Sequence, residues 1–256
     1  IWIAHVTGSL LIGVAAAVLA SVVIAMIFGI FNLRFKANIF IAGIAFNMFA
    51  SGITAVLLEG ILGQRGVFAS NRIPPFKVIE IPIFSKIPVL AEIFNGHTIL
   101  VWVAFLAVPV VSYALYRTKW GLRVRATGEN ADAAASVGLN TFNLKMQAIA
   151  LSGFFCGLAG AYLSLGYVTL FSRDMHGDRG LTALAAIFFA RGNPGVATLV
   201  AMLFGASQAI SVRLQQSAGV APQLLQVIPY LVTILALVAV GLQDRFGKTP
   251  KKSTAS

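Results

Sequence analysis

Gly43, Asn47, Ser51 and Thr54 are separated by four, four and three positions, which stacks them on one face of a helix. Asn47 both donates and accepts hydrogen bonds, as do the two hydroxyls, and the flanking rings of Phe46 and Phe49 offer stacking surface to a base or a sugar ring. Such a face suits a path for a solute. It suits helix–helix packing equally, where small and polar residues act as close-contact glue. Gln208, with Ser207 and Ser211, is a second candidate with the same two readings. A third cluster, Arg173-Asp174-Met175-His176-Gly177-Asp178-Arg179, alternates acid, imidazole and acid as a metal ligand set can. Each acid adjoins an arginine, the segment precedes a helix start where acids are favoured anyway, and nothing supplies the remaining ligands, so no metal is expected. There is no Gly-x-x-x-x-Gly-Lys-Ser/Thr phosphate loop, no His-Glu-x-x-His and no Ser/His/Asp grouping. No catalytic residues and no cofactor are expected on this chain.

The elements that must position these residues are apolar. Of 256 residues 58% are hydrophobic and 11% charged, less than half the charge a soluble domain needs to cover itself. A net charge of +11 ordinarily suggests a nucleic-acid partner. Here the charges sit in short segments between long apolar stretches, so the partner is a lipid bilayer and no nucleic acid is expected. Six stretches are long enough to cross: 8–31, 37–58, 98–116, 146–168, 195–212 and 222–241. A seventh, 181–191, covers little more than half of a ~30 Å hydrocarbon core at about 1.5 Å per residue. It ends at Arg191-Gly192-Asn193-Pro194-Gly195, so 181–212 reads as a broken element: half-helix, turn, full helix. Non-helical backbone at membrane depth survives only where protein buries it or where it lines a cavity.

Two helix faces and one thiol read as structure. Gly153, Gly157 and Ala161 form a close-packing face, and Cys156 reads as a small buried hydrophobe with no disulfide or zinc partner. His5 and His97 are isolated. No span contains an acid suited to proton relay, since Glu59 lies at a span edge, and this argues against a proton-coupled carrier.

Loop charges orient the chain. Arg34, Lys36, Arg117, Lys119, Arg123, Arg125, Lys145, Arg191, Arg245, Lys248, Lys251 and Lys252 fall on one side with Glu129, Asp132 and Asp244; seven cations and five acids fall on the other. The positive-inside rule makes the first side cytoplasmic. Ile1 then starts on the outer side, and without an initial Met the reading expects helices before it. Segment 59–97 becomes a long outer loop, rich in proline, and 243–256 a basic cytoplasmic tail expected to be disordered.

The cytoplasmic loop 117–145 carries the most information. Asn130 suits an N-cap, Asp132 the positive helix end, the alanine run favours helix and Gly138 suits a C-terminal stop. This predicts a helix of about two turns, too short for stability alone and without an apolar stripe to anchor it. Its groove can come from another protein. On shape alone it reads as well as an Ala-rich connector on the membrane surface.

The run Gly128-Glu129-Asn130-Ala131-Asp132-Ala133-Ala134-Ala135-Ser136-Val137-Gly138 resembles the loop motif of permease subunits of ABC importers. More narrowly it looks like the family serving ribose, branched-chain amino acids and nucleosides. The resemblance continues through Ser152-Gly153, Gly157 to Gly160, Asp178 to Ala186, Gly192-Asn193-Pro194, Leu203-Phe204-Gly205, Leu214-Gln215, Pro222 and Pro229 to Thr233, covering about 37–241. Its later part is closest to nucleoside and simple-sugar permeases. One departure is Phe189-Ala190-Arg191, where a small residue is more usual before Gly-Asn-Pro. The resemblance implies an all-α polytopic membrane protein with a transmembrane permease domain over 1–242. Glu129, Asn130, Asp132, Ala133, Ala134 and Gly138 would form a coupling helix that docks on an ATP-hydrolysing subunit, with ATP and Mg held by that partner. Further implied partners are a second permease subunit, identical or related, and an extracytoplasmic substrate-binding protein, with the outer turn at 173–179 contacting the latter. The expected site is a bacterial plasma membrane. The path residues would be Phe46, Asn47, Ser51 and Gln208. The expected solutes are nucleosides, then simple sugars, then branched-chain amino acids. No span interior holds Lys or Arg, which favours neutral solutes. An ATP-independent carrier or channel is the rival of another class.

Overall fold

The computed structural model describes residues 1–63, 67–69, 76, 78–79, 96–167, 170–172, 174–177 and 179–217. The expected span 222–241, the tail 243–256, Asp178 and most of the outer loop lie outside the described residues. The chain divides into two compact units, Ile1–Gly177 and Asp178–Ser256.

The first unit opens with a short helix α1 (Trp2–Thr7), stopped by Gly8, and the long α2 (Leu10–Leu33). After a tight turn the Asn38 side chain accepts hydrogen bonds from the amides of Phe40 and Ile41 and starts α3 (Ile39–Leu62). Three short strands, β1 (Val67–Ala69), β2 (Val78–Ile79) and β3 (His97–Thr98), lie between α3 and α4 (Ile99–Arg117). Beyond α4 come α5 (Lys119–Glu129), α6 (Ala131–Ser136) and α7 (Thr141–Ala161). A wider π-helical turn, Tyr162–Tyr167, prolongs α7 and leads to β4 (Leu170–Ser172). In the second unit α8 (Arg179–Ala190) is followed by α9 (Pro194–Ser217).

Among the described residues five helices are long and apolar enough to span: Leu10–Leu33, Ile39–Ile61, Ile99–Arg117, Thr141–Gly166 and Pro194–Gln215. Their large apolar side chains point outward; Leu11, Phe40 and Met48 are two-thirds or more exposed. That is the arrangement expected when lipid is the solvent. Helices α3, α7 and α9 run past the predicted boundaries, α7 beginning five residues before the predicted start at 146. The apolar period does not report the polar first turn of α7, which is held by the cap Asn140, accepting from the Asn143 amide, while α3 and α9 are extended chiefly at their C-terminal ends. The predicted loop 117–145 also contains an unanticipated helix, α5. Thr118 starts it by accepting from the Gly121 amide, and Gly121 presses so closely on the backbone of Ala114 and Leu115 that no side chain fits there.

The firmest packing joins α2 to α7. A Cβ on Gly153 would lie 2.7 Å from the Ala25 Cβ, and one on Gly157 would lie 2.6 Å from the Val18 Cα. Gly153, Gly157 and Ala161 are all buried, as the spacing predicts. Gly29 packs against Met146 and Ile149, so the C-terminal end of α2 and the N-terminal end of α7 lie at one level. Arg34, Lys36 and Lys145 therefore fall together, in keeping with the assigned cytoplasmic side. Cys156 departs from expectation: it is exposed, because it lies one position away from the face that the glycines bury.

Candidate functional site

The segment between α5 and α7 folds as its residues dictate. Asn130 Oδ1 accepts from the amides of Asp132 and Ala133 at 3.1 and 3.0 Å. Gly138 adopts φ +82°, its amide donates to the Ala135 carbonyl, and the Leu139 amide donates to the Ala134 carbonyl, closing the helix end. The predicted two-turn helix, its start and its stop are all present. Its sides are unequal, however. Ala134 is 4% exposed and packs inward, while Glu129, Asn130, Asp132, Ala133 and Gly138 are exposed and Val137 is 75% exposed. Ala134 alone turns inward, so the helix touches its own unit through one methyl and still lacks an apolar stripe, as expected.

Helix α3 does align Gly43, Asn47, Ser51 and Thr54. Asn47 is exposed, Ser51 half-buried, and Thr54 Oγ1 donates to the Ala50 carbonyl at 2.7 Å, within its own helix. The two flanking rings behave differently. Phe49 is exposed, whereas Phe46 meets Phe28 edge-on at 5.4 Å and Phe31 at 6.0 Å. Phe46 is thus committed to packing α3 on α2, and Phe49, two positions on from Asn47, is exposed on the opposite side of the helix from the polar face. Gly43 and Phe46 also border a 310 Å³ hollow between α2, α3 and α7, whose wall includes Cys156.

The residue that spacing did not reveal is Asp174. Strands β1 and β4 pair antiparallel, Phe68 opposite Phe171, and carry the chain back along α3. The ribbon is held by buried Phe68, whose ring meets His5 edge-on at 5.4 Å. Just past its end Asp174, at φ +54°, accepts a hydrogen bond from Ser51 Oγ at 3.2 Å. Ser51 lies about 18 Å from the start of α3, near the middle of its span. A carboxylate from outside the predicted spans thus meets α3 about halfway along its length, while the spans themselves contain no acid suited to proton relay, as expected. Only the long-range β1–β4 pairing brings it there, and no periodic signal in the sequence reports that pairing. Among the described residues no group of three or more His, Cys, Asp and Glu is placed to hold a metal.

In the second unit, α8 and α9 pack on each other, with the Phe189 and Phe204 rings 6.1 Å apart. The break lies at Arg191 (φ +48°) and Gly192 (φ +79°), after which Asn193 Oδ1 accepts from the Gly195 and Val196 amides. Arg191 occupies a left-handed conformation that a residue without a side chain adopts more readily, which explains why a small residue is usual there. Ser207 and Ser211 are buried, Ser207 Oγ donating to the Phe204 carbonyl, while Gln208 is exposed. The predicted cluster is therefore split between two faces.

Five helices among the described residues long and apolar enough to span define a multi-pass α-helical membrane protein. Residues 1–237 match the family described as the permease component of branched-chain amino acid transport systems, and the chain belongs to that family. It is 29% identical to a putative glucose ABC transporter permease, TsgC13, of Haloferax volcanii, over 91% of this chain and 75% of that protein. It is 30% identical to the guanosine ABC transporter permease NupQ of Bacillus subtilis, over 87% and 70%. It is also 30% identical to the nucleoside ABC transporter permease NupC of Lactococcus lactis, over 80% and 65%. The chain thus spans 65 to 75% of the length of these relatives. No solved structure matches it significantly.

Proposed function

We propose that this chain is the membrane-spanning permease subunit of an ABC importer in a bacterial plasma membrane, carrying nucleosides delivered by an extracytoplasmic binding protein. The segment around α6 carries the reading: the helix is capped at both ends, Ala134 turns inward, Asp132 and Ala133 on it are exposed, and so are Glu129, Asn130 and Gly138 beside it. A rigid knob of small residues can seat in the groove of a partner ATPase and transmit its closure as a push on α5 and α7, which flank it. Rocking of the spans between outward-open and inward-open states follows as a rigid-body change. ATP and Mg sit on the partner, and this chain performs no chemistry. A second permease copy or relative completes the pore. Asn47 and Ser51 in the first unit, and Gln208 in the second, are the proposed polar lining, and Phe46 is given over to packing on α2.

Two of the relatives above are named for guanosine or nucleosides and support that solute; the one named for glucose supports a simple sugar as the second reading. Asp174 weakens the argument from missing acids against a proton-driven carrier, and the family membership takes over that role. The test is uptake of a ribonucleoside by proteoliposomes holding the chain with its ATPase and binding protein. Uptake that needs both ATP and binding protein supports the reading. Uptake driven by a proton gradient without ATP refutes it.

A further inference from the structure

We propose that Asp174 is a substrate-contacting residue of the translocation path, taking the hydroxyl groups of a ribose or hexose ring. The inference rests on the nucleoside or sugar reading above and adds a residue and a subsite to it. Three observations converge. The carboxylate sits at the middle of α3, where Ser51 Oγ donates to Asp174 Oδ2 at 3.2 Å, yet Asp174 remains exposed. Polar side chains beside a span tend to face the bundle interior or a water-filled path. Asn47, exposed one turn before Ser51, and Thr54, one turn after, extend the same polar face. Beginning at Thr54 and running along the outer half of α3 is a 220 Å³ hollow lined by Leu57, Leu58 and Ile61, with Trp2 from α1 and Phe171 from β4. It is almost wholly apolar and carries two aromatic side chains.

A polar, acid-bearing patch next to an aromatic hollow matches the two halves of a nucleoside. Neighbouring hydroxyls donate well to one carboxylate, because charge-assisted hydrogen bonds are the stronger ones. The base lies against Trp2 and Phe171 in the hollow.

The experiment compares Asp174→Asn, Asp174→Ala and Ser51→Ala in proteoliposomes holding the complete importer. Ribonucleoside uptake and the ATP hydrolysis stimulated by loaded binding protein are recorded on the same vesicles. Asn keeps an acceptor for Ser51 and removes only the charge. Uptake is expected to fall tenfold or more in both Asp174 variants, with stimulated ATP hydrolysis within twofold of wild type. Ser51→Ala, which removes the bond and one hydroxyl of the lining but leaves the carboxylate, should lower uptake less than either Asp174 variant. If Ser51→Ala loses as much as Asp174→Ala, the carboxylate only braces the ribbon and the proposal is overturned. Stimulation lost together with uptake would make Asp174 a docking contact for the binding protein, which also overturns it, as does unchanged uptake. A wild-type importer that carries neither ribonucleosides nor sugars refutes the parent reading, and this one with it, before any variant is compared.

Discussion

Helices α3 and α7 carry the same kind of pattern, small and polar residues four apart, and use it in opposite ways. On α7 a side chain at Gly153 or Gly157 would strike α2 at 2.7 or 2.6 Å. On α3 a Cβ at Gly43 meets nothing within 4 Å, and Asn47 next along the face is exposed. Without a hydrophobic force between helices in lipid, close approach of backbones supplies dispersion contacts, and glycine permits it. The α7 face is therefore glue, and the α3 face is left open for something that is not a packed helix of the same unit. The period alone cannot separate the two uses; what stands opposite does.

The largest effect should come from filling the packed face. Gly157→Leu forces α2 and α7 apart against backbone, at the upper end of the ~1–3 kcal/mol typical of overpacking. Recovery of folded protein by size-exclusion chromatography should drop tenfold or more, while Gly43→Leu stays within twofold of wild type. Equal damage at both positions would break the comparison.

The same contrast recurs at residue scale on α6, where Ala134 is packed and Ala133 exposed. Ala133→Trp should leave recovery of the folded chain unchanged and cut ATP-driven uptake about tenfold. Equal uptake in wild type and variant would remove the proposed docking role. On α3, Asn47→Leu should lower uptake about fivefold with folding and ATPase association intact; full uptake would return that face to the packing reading. The smallest effect concerns the junction of α8 and α9. Arg191→Gly relieves a left-handed residue, a conformation costing roughly 1–2 kcal/mol, but gives back roughly 0.5–1 kcal/mol of chain entropy. A rise in thermal midpoint of a few degrees at most should be seen by fluorescence, and a fall would contradict the strain assigned to Arg191.

Much of this architecture was legible because its signals are local. Apolar runs marked the spans, and Asn130 and Gly138 marked both ends of α6 through short-range hydrogen bonds. The breaker cluster 191–195 marked the interruption before α9. What was not legible depends on contacts between segments far apart in the chain. The mid-span position of Asp174 needs the β1–β4 ribbon, the loss of Phe46 as a stacking surface needs Phe28 and Phe31, and the exposure of Cys156 needs to be seen beside the α2 backbone. Helix α5 escaped notice because its charges read as loop, although Thr118 and Gly121 hold it against α4.

The central claim is that α6 is the contact through which a partner ATPase drives this chain. Its most direct test places single cysteines at Ala133 and at Ala134 on a background with Cys156→Ser, then cross-links the gently purified complex and identifies the products by mass spectrometry. The account predicts an ATPase subunit co-purifying in stoichiometric amount and joined through position 133, with little product from buried position 134. A chain that purifies alone while its ATPase is present in the same membranes, or an ATPase cross-linked equally from both positions, would contradict it.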